Sequence, residues 1–166
     1  MKYAIILLLI LFPSLVSSSH KDRIPMVILP EITVRPLMPN KDSLELFARL
    51  VYAEANREPC DCQVAVLNTV ISRSHRKNKN YSQIIYQKGQ YDGVKTKYFH
   101  RKPTVEHYRA AYLALIGRKI IPDGVQYFMN EDIATDLRWK TKLQKHKYFK
   151  CGNHTFYWVP RLKPRV

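Results

Sequence analysis

The chain has 166 residues, with 28 Lys and Arg against 13 Asp and Glu, for a formal net charge of +15. That length allows one modest domain with a single core. The charge excess points to an anionic partner without choosing among nucleic acid, cell-wall polymer and phospholipid.

Lys2, the apolar run 4–12, Pro13 and the small residues at 14–19 have the layout of a signal peptide over 1–18. Val16 and Ser18 fit the cleavage positions, which makes Ser19 the mature start and the protein an exported one, in periplasm, cell wall or medium. The apolar run is short for a bilayer span, and no other segment is apolar enough to cross one. Residues 19–41 carry Pro25, Pro30, Pro36 and Pro39 and read as an extended leader. The folded domain is expected over 42–160, with a basic tail at 161–166.

Asp42 and Glu45 offer a capping box for a helix over 43–58, closed by Pro59. Within it, Leu44, Phe47, Leu50 and Val51 form the inward stripe. At about 100° per residue, Glu54 lies roughly 20° from Phe47, 40° from Leu50 and 60° from Val51. Burying a charged carboxylate costs several kcal/mol unless it is paired. Desolvation favours the protonated form instead, which suits a general acid near neutral pH. The same placement also fits a side chain reaching solvent at a frayed helix end, or one paired with a Lys or Arg.

Asp61 can cap a second helix through Arg73, with Val64, Leu67 and Ile71 on one face, and a basic loop follows at 74–80. Residues 82–88 read as a short helix stopped by Gly89, and 90–103 as irregular. Thr104 caps a helix through Ile116, with Val105, Tyr108, Ala111 or Tyr112, and Leu115 inward. Pro122-Asp123-Gly124 is a turn before a strand at 125–129, and 147–151 with 154–159 form a hairpin around Gly152-Asn153. Helices followed by a small antiparallel sheet make an α+β domain.

An exported chain meets an oxidising compartment. Three cysteines leave at least one unpaired, and a bridge from either Cys60 or Cys62 to Cys151 is open, since spacing does not choose. Cys60, Cys62, Cys151 and His154 also number four zinc donors. The tight C-x-C spacing, the adjacent Pro59 and thiol oxidation argue against that site, so neither metal nor cofactor is expected. Basic residues interleave with aromatics at 81–101 and 139–149, a pattern that can hold phosphates and stack bases. The charge is spread along the whole chain and export disfavours nucleic acid, so an exported basic binding protein for murein or nucleic acid remains the alternative to an enzyme. Tyr91, Tyr127, Trp139 and Tyr157 offer flat faces for sugar rings, and each also fits a core position.

Several blocks together are similar to the SleB-type (spore cortex-lytic) cell-wall hydrolases. They run from Leu46-Phe47-Ala48-Arg49-Leu50-Val51-Tyr52-Ala53-Glu54-Ala55 through Glu58-Pro59 and Gln63-Val64-Ala65-Val66 to Ile85-Tyr86-Gln87. Gly89-Gln90-Tyr91, Ala114-Leu115-Ile116-Gly117, Tyr127-Phe128, Trp139 and Gly152-Asn153-His154-Thr155-Phe156-Tyr157 continue them in family order. The resemblance implies a lysozyme-like α+β fold, cleavage of peptidoglycan glycan strands, Glu54 as the catalytic acid, and a groove lined by Gln90, Tyr127 and the strand from His154 to Tyr157. Departures are Cys62 where the family generally has Gly, and Ser72-Arg73 in place of Asn-Arg.

Glycoside hydrolysis ordinarily takes two carboxylates. Glu58, one helical turn from Glu54, is close enough to raise its pKa, while Asp92, Glu131 and Asp132 are loop candidates without further support. A single acid suits lytic transglycosylation between MurNAc and GlcNAc, which the resemblance also implies, with a muramidase as the hydrolytic alternative. The expected site is therefore Glu54 as acid and base, with Gln90, Tyr91, Tyr127, Trp139, His154 and Tyr157 binding substrate. A monomer acting on glycan strands is expected.

Overall fold

The computed structural model describes residues 38–159, all within one compact unit, Pro36–Val166. The expected signal peptide, most of the leader and the basic tail lie outside the described residues.

Helix α1 spans Lys41–Ala55. Asn40, not the anticipated Asp42–Glu45 pair, caps it, its side chain accepting from the amides of Asp42 and Ser43. Glu45 is engaged elsewhere, with Arg49 at 2.6 Å and with the Tyr108 hydroxyl. The helix ends at Ala55, earlier than 58, and Glu58 lies in the turn beyond, its amide donating to the Ala55 carbonyl. Phe47, Ala48, Leu50 and Val51 are fully buried, as their 3.6-residue spacing requires.

Helix α2 (Cys60–Lys77) starts behind Pro59 without a side-chain cap. Asp61 sits in its first turn and pairs with Arg118 at 2.7 Å instead of capping. The helix runs on through His75, Arg76 and Lys77, where a basic loop was expected, and Asn78 in the left-handed region (φ 49°) ends it. Basic side chains in a last turn complement the helix dipole, so polarity there did not mean irregularity. Helix α3 (Tyr81–Ile85) is capped by Asn80 with Gln83 and is shorter than anticipated. A 3₁₀ turn at Asp92–Lys95 interrupts the stretch read as irregular.

Helix α4 (Val105–Leu115) matches its expected bounds closely, but its inward face is His107, Ala110, Ala111 and Ala114, and Val105 is 78% exposed. Small residues face inward because α1 and α2 both pack against this helix, and close approach favours alanine over larger side chains.

Strands β1 (Val125–Met129), β2 (Lys147–Cys151) and β3 (His154–Trp158) form an antiparallel sheet of order β1-β3-β2. Between β1 and β2 lies helix α5 (Leu137–Gln144), unforeseen from sequence and capped by Asp136, whose carboxylate accepts from the Trp139 amide at 2.9 Å. Only Leu143 of α5 is fully buried, too little apolar periodicity to reveal a helix of eight residues. As the central strand β3 is covered on both faces: Phe156 packs with Val66, Ile121 and Val125, while Tyr157 packs with Leu143 and Val159. A disulfide joins Cys62 to Cys151 across 89 residues, tying α2 to the end of β2, and Cys60 is free. That bond consumes two of the four sulfur and nitrogen donors weighed for zinc.

Among the described residues, four α-helices lead into a small antiparallel sheet that holds the fifth between its first two strands, which gives the lysozyme-like α+β arrangement.

Candidate active site

The C-terminal end of α1, the 89–96 segment, β1 and the 130–136 loop enclose an open groove of about 1060 Å³. Glu54 lines it. Because α1 presents Glu54 beside its apolar stripe, the carboxyl group is packed on most sides and keeps an edge toward the groove.

One oxygen, Oε1, accepts the Gly93 amide at 2.6 Å. Gly93 belongs to the 3₁₀ turn, which packs directly on α1. A Cβ at that position would stand 2.8 Å from Glu54 Oε1 and 2.9 Å from Ala53 Cβ, so only glycine lets the turn come this close. Burial raises the Glu54 pKa to about 7. The Gly93 amide pulls it down in part, and the nearby negative charge of Asp92 adds to the rise. Near neutral pH this carboxyl group both holds and yields its proton, the property that general acid–base catalysis requires.

The anticipated repulsion from Glu58 is replaced by that of Asp92, because α1 ends before residue 58. Glu58 also lines the groove, but its carboxylate is taken up by Asn153, through the amide at 3.2 Å and Nδ2 at 2.9 Å, and stands 3.7 Å from His154 Nδ1. Of the three loop carboxylates considered from sequence, Asp92 alone lines the groove, with its side chain 92% exposed. Glu131 accepts from the Tyr157 hydroxyl at 2.5 Å and pairs with Lys147 at 2.9 Å.

Gln90, Tyr127, Trp139 and His154 all line the groove, and Tyr127 meets Trp139 edge-on with ring centroids 5.3 Å apart. Tyr91 and Tyr157 do not line it. Tyr91 is buried behind it, with its hydroxyl 3.2 Å from Thr69 Oγ1. Tyr157 is wholly buried toward α5, and burial together with the Glu131 hydrogen bond pushes its pKa up. Both are large aromatics at positions where a core face and a groove face read alike in sequence. Conversely, Gly93 and Arg73 belong to the groove wall, yet Gly93 carried no sequence signal beyond an Asp-Gly pair, and Arg73 none beyond standing where the family has the Arg of its Asn-Arg pair. Among the described residues, no three His, Cys, Asp or Glu side chains converge as metal ligands.

A family model described as cell wall hydrolase matches residues 57–157. The chain belongs to the cell wall hydrolase family. Glu54 stands just ahead of the matched span. This cell wall hydrolase is also similar in fold to the catalytic domain of the germination-specific lytic transglycosylase SleB from Bacillus anthracis, with a TM-score of 0.64 at 23% identity. That match covers 74% of this chain and 98% of the other. The catalytic domain of the Bacillus cereus SleB protein matches with a TM-score of 0.62 at 25% identity, over 74% of this chain and 94% of that one. None of the curated proteins matches. The SleB-type resemblance read from the motifs agrees with these findings.

Proposed function

We propose that this cell wall hydrolase is an exported lytic transglycosylase that cuts peptidoglycan glycan strands between MurNAc and GlcNAc. The observation that carries the reading is a single carboxyl group, Glu54, with a pKa near 7 at the edge of a sugar-sized groove. The similar Bacillus anthracis domain is itself described as a lytic transglycosylase.

Glu54 gives its proton to the bridging oxygen, the muramyl C1–O bond breaks, and the electron pair leaves with the GlcNAc hydroxyl. The muramyl 6-hydroxyl oxygen then bonds to C1, and its proton passes to the Glu54 carboxylate, which restores the acid and closes a 1,6-anhydro ring. No water is activated, so no second carboxylate is needed. The Gly93 amide holds Oε1 in place through both steps. Tyr127 and Trp139 offer apolar surface to pyranose rings, with Gln90 and His154 as polar contacts along the same wall. The enzyme acts as a monomer, without metal or cofactor.

A hydrolytic reading has one observation in its favour, since exposed Asp92 borders the groove near Glu54 and could activate water. Digestion of purified peptidoglycan followed by mass measurement separates the readings. Anhydro-muramyl ends are the expected result, whereas reducing muramyl ends overturn transglycosylation in favour of a muramidase. Retention on murein with no bond cut, weakened by salt, would instead mark a binding protein.

A further inference from the structure

We infer that Arg73 forms the floor of an anion-binding subsite in the groove, one that takes a carboxylate carried by the peptidoglycan. The choice of ligand rests on the glycan-cleaving reading above.

Arg73 leaves the second half of α2 and is 3% exposed, yet it lines the groove. Its guanidinium carbon lies 5.3 Å from the centre of the Tyr91 ring and 5.7 Å from that of Tyr127. Among the described residues, no carboxylate stands within ion-pair distance of it. Burying a charge without a counter-ion is costly, and two ring faces offset only a part of that cost. The Tyr91 hydroxyl accepts from the guanidinium but brings no charge to balance it. A planar fork of donors left at a groove wall matches a carboxylate, which it can grip through two parallel hydrogen bonds.

The surroundings point the same way. Burial, and then the positive charges of Arg73, Lys79 and Arg76, push the Lys77 ammonium pKa down, so the end of α2 is crowded with cations. Its neighbours are satisfied by neutral amides, not acids: Arg76 donates to Gln126 Oε1 and Lys77 to Gln87 Oε1, each at 2.9 Å. The α2 C-terminus tolerates this crowding through its dipole, but among the described residues no carboxylate pairs with Arg73 itself. A sugar hydroxyl or acetamido oxygen would accept a hydrogen bond without balancing the charge. Peptidoglycan supplies carboxylates from two sources, the lactyl group of a muramic acid that lacks its peptide and the peptide stem itself.

The test uses wild-type enzyme and the R73Q and R73K variants on four substrates. These are stem-free strands and stem-bearing strands, each with carboxylates free or converted to methylamides. Wild type is expected to show a KM about tenfold or more higher on the masked strands with kcat little changed, the loss that follows removal of a charged hydrogen-bond partner. R73Q should show the high KM on both forms, with R73K between. A gap on stem-free strands assigns the lactyl carboxylate, and a gap confined to stem-bearing strands assigns the stem. Equal wild-type KM on masked and free strands overturns the inference, as does an R73Q variant that keeps the wild-type gap. If R73Q does not fold, the wild-type comparison decides alone. Should wild type cut none of the four, the glycan-cleaving reading falls, and this one with it.

Discussion

Replacing Glu54 by Gln removes a titrating group while nearly keeping its shape, and its effect on stability follows from the buried carboxyl. In the folded chain the Glu54 pKa stands at about 7 against an ordinary 4.5. That gap corresponds to roughly 3 kcal/mol of preference for the protonated form. Because the folded pKa is the higher one, the stabilisation is fully present below pH 4.5 and is lost as pH rises through 7. Glu54→Gln never ionises, so its stability relative to wild type should climb by about 3 kcal/mol between pH 4 and pH 8. Every other titrating group is common to both proteins and largely cancels in the difference. Urea unfolding of both proteins at the two pH values measures it, provided the denaturant slopes agree, and the same variant should release no muropeptide fragments. A stability difference that stays flat within about 1 kcal/mol from pH 4 to pH 8 would refute the buried-acid account. Full activity in Glu54→Gln would remove the carboxyl from the chemistry altogether.

Three further outcomes follow from the same geometry. Wild-type kcat/KM on peptidoglycan should fall about tenfold per pH unit above pH 7, as the acid loses its proton before substrate arrives, and a profile level to pH 9 contradicts this. Gly93→Ala puts a methyl group 2.8 Å from Glu54 Oε1, so activity should drop about 100-fold or more for a displaced acid while circular dichroism stays that of a folded chain; unaltered turnover would show that the carboxyl does not need this seat. Reducing the Cys62–Cys151 bond opens a loop of 89 residues, for which the chain-entropy model gives a loss of roughly 4–5 kcal/mol. Thermal unfolding with and without reductant reads it, and an unchanged midpoint would discount the crosslink.

Glu54 was legible as an acid in the sequence because helical periodicity is a local property: seven residues separate it from Phe47, and that spacing alone puts both on one side of α1. The β1 strand and the β2–β3 hairpin were legible for the same reason, through alternation and the Gly152-Asn153 turn. What acts on Glu54 was not. Gly93 lies 39 residues away, and its role depends on a backbone approach that no side chain announces. Tyr91 and Tyr157 were assigned to the groove because an aromatic ring suits a sugar as well as a core. Only the double covering of β3, and the position of Tyr91 behind β1, made both of them interior. Helix α5 escaped notice because a short polar helix holds its place by packing one leucine and a tryptophan, not by its own periodicity.

Pattern within the chain thus determined the order of helices and strands, the family motifs and the one acid worth testing, since each depends on neighbours a few residues apart. The tertiary structure decided which cysteine meets Cys151, which carboxylate sits near Glu54, and that Arg73 lines the groove with no carboxylate of the described residues in ion-pair distance. Those outcomes depend on which distant segments come to rest against one another, and desolvation and charge act through space with no regard for position along the chain.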